Sequence, residues 1–228
     1  MPYWSQISLL GLLTCIYNSL VTFLAAYYTF YSKKKDFKDI ILGCVWISVS
    51  LHYFFVTIAV PFYPVSVPTF TVLYFIGYTF IFLQLTVGAF YLVVKITKNF
   101  LIRFLSASIL IGLLIYLVFF FLQNATVARD QGGEFYLAAN VQTPMGYGMA
   151  LMMGIIIFLC FLLVLYDFRK GVFSWVNMAE FYKFYAFIVF VAISLLKTLR
   201  FLPYSWYLEI FYALPAYLMY RSKKESEI

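Results

Sequence analysis

The chain has 228 residues and a formal charge of +7, with a hydrophobic share of 65% and a charged share of only 11%. A soluble domain carries about 45–50% apolar and about 25% charged residues, so this composition excludes an ordinary soluble globule. The excess positive charge does not indicate nucleic acid either, because the basic residues sit where a membrane topology needs them.

Residues 4–31 form the first apolar run. It has no basic leading segment and is too long for a cleaved signal peptide, so it reads as the first spanning helix. Gly11, Thr14, Asn18, Thr22 and Ala25 recur along it every three or four residues, which gathers small and polar groups on one face. The second run, 39–61, places Cys44, Ser48 and His52 at four-residue spacing. Pro61, Pro64 and Pro68 then stop the helix and favour an extended turn. The third run, 68–95, aligns Gly77, Gln84, Gly88 and Tyr91. Asn18, His52 and Gln84 all fall near the middle of their runs, and the three stripes are expected to face one another.

The fourth run, 99–122, is almost uniformly apolar. Residues 123–147 form the one long connection, in which apolar and β-prone residues flank a Gly132-Gly133 turn signal. Asn124-Ala125-Thr126 fits the glycosylation pattern but lies too close to the membrane to be assigned as modified. The fifth run covers 147–166 and the sixth 180–202. Glu180 and Lys183, at the start of the sixth, read as a solvated i,i+3 salt bridge. Pro203 turns the chain into the seventh run, 204–220. Lys197 and Glu209 each stand six positions from Pro203, a spacing that predicts a structural ion pair across this hairpin. Pro215 removes a backbone donor inside the seventh run and is expected to kink it.

Each run is near or above the length needed to cross about 30 Å of hydrocarbon. The expected fold is therefore all-α: one polytopic seven-helix transmembrane domain over residues 1–228, with 123–147 as an external loop. Orientation follows from the basic residues, of which thirteen of the 16 fall on one set of connections and three on the other. The excess places the N-terminus outside and the tail in the cytoplasm. Trp4 and Trp206 then mark the outer interface and Trp175 the inner one. Cys15, Cys44 and Cys160 all lie in apolar runs and read as buried, reduced thiols.

Two readings of the mid-membrane polar groups are open. In the first, small residues let helices approach, and amide, hydroxyl and imidazole groups hydrogen-bond between them. In the second, Asn18, Ser48, His52 and Gln84 line a ligand cavity or polar pathway. No Gly-rich phosphate loop, nucleophile elbow or converging metal-ligand set is present, so no cofactor, metal or catalytic residue is assigned and enzymatic function is disfavoured. The leading expectation is a receptor or sensor-like module binding a small or apolar ligand within the bundle. A transporter or channel with a mid-membrane site, and an accessory subunit of a membrane complex, are the alternatives. The partners implied are the lipid bilayer, a small-molecule ligand and a cytoplasmic or membrane protein. The expected location is a multi-pass position in a membrane, with the plasma membrane as the default.

Overall fold

The computed structural model describes residues 3–31, 36–62, 66–124, 126–129, 135–138, 144–170, 178–198 and 205–227, with side chains described over 12–31, 36–62, 66, 68–119, 151–165, 178–194, 208 and 210–226. It is helical, with helices α1 (Tyr3–Phe30), α2 (Phe37–Ala59), α3 (Val67–Ile96), α4 (Phe100–Asn124), α5 (Pro144–Lys170), α6 (Met178–Thr198) and α7 (Ala213–Glu227). Strands β1 (Thr126–Arg129) and β2 (Phe135–Ala138) form a small antiparallel hairpin between α4 and α5, with Thr126 opposite Ala138 and Arg129 opposite Phe135. The interval between the strands contains Gly132-Gly133, which lies outside the described residues.

Local chemistry sets the helix starts. Asp36 caps α2 by accepting from the Asp39 amide at 3.1 Å, while the Asp39 carboxylate accepts from the Asp36 amide at 3.2 Å. This reciprocal box satisfies two donors that the first turn would otherwise leave open. Ser66 accepts from the Thr69 amide at 3.4 Å at the start of α3, where Pro68 occupies a first-turn position that needs no donor. At the α3–α4 corner, the Asn99 side chain accepts from the Leu101 amide at 2.9 Å. Arg103 reaches back to donate to the carbonyls of Thr97 at 2.8 Å and Val94 at 3.1 Å, closing the end of α3.

Among the described residues, four helical segments are long and apolar enough to cross a membrane: Leu12–Phe30, Phe37–Phe62, Pro68–Ile96 and Phe100–Phe119. A shorter apolar stretch, Leu151–Leu165, belongs to α5. Helix α1 packs on α2 and α7, α2 on α3, and α3 also on α4 and α5, while α6 pairs with α7. Long aromatic side chains bring α6 to the centre. Trp46 of α2 meets Phe190 edge-on at 5.1 Å, and Tyr91 of α3 meets Phe187 at 5.2 Å. The central core includes Leu42, Val45, Trp46, Val49, Leu92 and Phe187, all buried. Helix α4 instead leaves Phe100, Phe104, Ile109, Ile115 and Phe119 exposed, a continuous apolar face that suits lipid and not water.

Some expectations are corrected. The seventh run is not one α-helix, because Ser205–Tyr212 forms a 3₁₀ segment and α-helix begins only at Ala213. Pro215 is the third residue of α7, where its missing donor costs little, and it stands just beyond the changeover between helix types. Cys44 is exposed although Ser48 and His52 on the same row are buried. Cys15 and Cys160 are partly buried, and none of the three cysteines forms a disulfide. The Glu180–Lys183 pair is not an ordinary surface bridge, because its lysine is buried while Glu180 stays partly exposed.

Candidate functional site

The polar face expected on α1 is buried. Thr14, Asn18, Thr22 and Ala25 all point inward, and the Thr22 hydroxyl donates to the Asn18 carbonyl at 2.6 Å. Residues that the stripes did not include make the α1–α2 contact. The Ser19 hydroxyl donates to the Ser50 carbonyl at 3.1 Å, and the Ser50 hydroxyl returns a bond to the Ser19 carbonyl at 2.9 Å. Two residues before Ser50, Ser48 spends its hydroxyl on the Cys44 carbonyl of its own helix at 2.8 Å. That bond is intrahelical.

His52 is buried and crosses from α2 to α3. Its Nδ1 lies 2.9 Å from the Gly77 carbonyl. A carbonyl can only accept, so Nδ1 carries the proton. Helices α2 and α3 come this close because residue 77 has no side chain: a Cβ there would sit 3.2 Å from the His52 carbonyl oxygen and 3.3 Å from Phe55. Tyr53 and Tyr78 stand edge-on to the imidazole at 4.9 and 5.3 Å. The imidazole is therefore a clasp between two helices.

From here a second set of polar groups leads to α6. The Tyr53 hydroxyl hydrogen-bonds to that of Tyr212, which lies 3.2 Å from the Ser194 hydroxyl. The Tyr17 hydroxyl donates to the Ile210 carbonyl at 2.9 Å, joining α1 to the same 3₁₀ segment. Ser194 also lines a cavity of about 30 Å³ between α3, α5 and α6, with Gln84, Gly88, Met153, Phe187 and Phe190 among its walls. Among the described residues, half-buried Gln84 and Ser194 are the only polar side chains on this lining, which also includes the exposed Ile157. Asn18, Ser48 and His52 do not line it. Gly77 and Gln84 are two turns apart, about 10 Å along α3. The four candidates are thus split between a packed α1–α2–α3 seam and a separate cavity.

No family model, curated protein or solved structure matches this chain.

The strongest electrostatic feature lies at the end where α2 and α6 begin. Lys183 Nζ is 2.6 Å from Asp39 Oδ1 and 3.0 Å from Glu180 Oε1, and the Lys183 and Asp39 side chains are only 5% and 4% exposed. Lys95 adds a longer contact to Glu180 at 3.9 Å and sits 4.6 Å from the Phe184 ring centre. Two cations and two carboxylates here balance, as a buried set must. Asp39 divides its carboxylate, one oxygen on Lys183 and the other on the Asp36 amide. Sequence reasoning missed Asp39 because a carboxylate at the edge of an apolar run looks like an ordinary first-turn residue. The i,i+3 spacing of Glu180 and Lys183 found half of this cluster.

The Lys197–Glu209 pair involves side chains outside the described residues, as does any modification of Asn124. Among the described residues no group of three or more His, Cys, Asp or Glu side chains converges on a metal position.

Proposed function

We propose that the chain is a seven-span membrane receptor or sensor-like module, its N-terminus outside and its tail in the cytoplasm, that takes a small apolar ligand between α3, α5 and α6. The observation that carries the ligand reading is the cavity: walls of aliphatic and aromatic side chains with one amide and one hydroxyl, the usual composition of a small-molecule site. An exposed lining residue, Ile157, suits entry from the lipid side. At about 30 Å³ the space admits one or two water molecules, so a ligand has to displace Met153 or swing the Phe187 ring. The orientation rests on charge. Lys38, Lys95, Lys98, Arg103, Lys183, Arg221, Lys223 and Lys224 gather where α2 and α6 begin and where α1, α3 and α7 end. That is the end a positive-inside topology assigns to the cytoplasm.

The test is labelling of the bilayer-reconstituted protein with a short-chain alkyl diazirine, mapped by peptide mass spectrometry. The expected pattern is saturable labelling of Met153, Phe187 and their neighbours, lost in a cavity-filling Met153→Trp variant with an unchanged circular dichroism spectrum. Labelling that follows the exposed face of α4 and ignores Met153→Trp refutes the ligand reading. Cysteine accessibility from either side of sealed vesicles tests the topology separately.

Transport is the second reading, favoured by the Asp39–Lys183 pair, since ionisable groups buried among spanning helices mark ion and proton pathways in many transporters. Proteoliposome flux compared between wild type, His52→Ala and Gln84→Ala separates it. Flux lost in both variants supports a pathway, and absence of flux from folded protein removes this reading for the solutes assayed.

A further inference from the structure

We infer that the basic end of α1 and α7 is a headgroup site for an anionic phospholipid, built around Lys223 and a cluster of tyrosines. Lys223 Nζ lies 5.3 Å from the Tyr27 ring centre and 5.8 Å from that of Tyr28. Tyr27 also packs on Tyr31 at 4.5 Å, and Tyr28 on Tyr220 at 5.5 Å, so the rings form one continuous surface across two helices. Tyr27, Tyr31 and Tyr220 are exposed, in contrast to the buried Tyr74 and Tyr91 of the core. An amphipathic ring suits the headgroup level, and its hydroxyl can donate to a phosphate. The Lys223 ammonium itself lies over these rings, on a half-buried side chain.

Among the described side chains the charge at this end is unbalanced, and that sets the sign of the ligand. Each described carboxylate already holds a cation: Asp36 pairs with Lys38, Asp39 and Glu180 with Lys183, and Glu225 with Arg221. Lys223 and Lys224 engage no carboxylate among the described residues. In the sequence, Lys33, Lys34 and Lys35 come two to four positions after Tyr31 and add three more positive charges to this stretch of the chain. A basic cluster beside a spanning helix attracts anionic lipid, and each lysine strengthens that attraction about fivefold.

The site needs the helices to span a bilayer but does not depend on which face is cytoplasmic, nor on the ligand cavity. The test is native mass spectrometry of the full chain released from nanodiscs of equimolar phosphatidylglycerol and phosphatidylcholine. The wild type is expected to retain phosphatidylglycerol over phosphatidylcholine, and Lys223→Gln to lower that preference about fivefold. Lys98→Gln, at the α3–α4 corner of the same end, should leave it unchanged. Equal losses in the two variants overturn the site in favour of diffuse surface attraction. A wild type without preference overturns it as well and leaves the basic end to an acidic protein segment. Failure to enter nanodiscs at all would instead strike the membrane reading.

Discussion

Replacing Lys183 by Met removes the cation from a carboxylate that is 4% exposed, and the structure sets the scale of the loss. At 2.6 Å separation and an effective dielectric of about 20, the Lys183–Asp39 attraction is about 6 kcal/mol. Desolvation takes back several kcal/mol per ion, so the intact pair adds little net stability. Breaking it is another matter, because Asp39 stays buried without its partner, and Lys183→Met should cost about 3–5 kcal/mol. Glu180 is 33% exposed and its loss leaves Lys183 with Asp39, so Glu180→Gln should cost about 1 kcal/mol or less. The double variant Asp39→Leu with Lys183→Met removes both charges and should recover most of the deficit. Unfolding in mixed micelles, titrated with a denaturing detergent and followed by circular dichroism, measures all three. Lys183→Met within about 1 kcal/mol of wild type, or a double variant no better than the single, would refute the reasoning.

Gly77→Ala gains about 1 kcal/mol of helix propensity but sets a Cβ 3.2 Å from the His52 backbone oxygen, which cannot move aside as a side chain could. The overpacking cost of about 1–3 kcal/mol should win, whereas Gly112→Ala, with open space around it, should be neutral or stabilising in the same unfolding assay. Ser19→Ala and Ser50→Ala should each lose the reciprocal bonds between α1 and α2, and a double-mutant cycle should show coupling of about 0.6–2 kcal/mol. Burial pushes the Asp36 carboxyl upward, but the Asp39 amide and the Lys38 ammonium outweigh it and hold the group below its ordinary 3.8. A lowered value in the folded state means the cap stabilises above 3.8 and is lost as pH falls through the folded value. Asp36→Ala should therefore cost about 0.5–2 kcal/mol at neutral pH, and melting curves at pH 2 should show the difference from wild type shrinking.

Hydrophobicity and capping are local properties, and the elements that depend on them were legible in the chain. The apolar runs at 39–61, 68–95 and 99–122 correspond to α2, α3 and α4, because a helix of that length satisfies its own backbone in lipid whatever its neighbours are. The strands flanking Gly132-Gly133 were readable for the same reason, since β-prone residues on either side of a turn pair locally. The inward face of α1 followed from its three-to-four spacing. Tertiary structure alone decided which polar groups meet. Ser48 and Ser50 are two residues apart and similar in chemistry, yet only Ser50 faces Ser19. Gln84 parted from His52 to join Ser194, because α5 and α6 close over that part of α3. Asp39 found its partner on a helix far along the chain, and no periodicity within either segment records that choice. Spacing along a helix says which residues share a face, but which face a neighbour covers depends on helix rotation and crossing, set by packing the whole bundle at once.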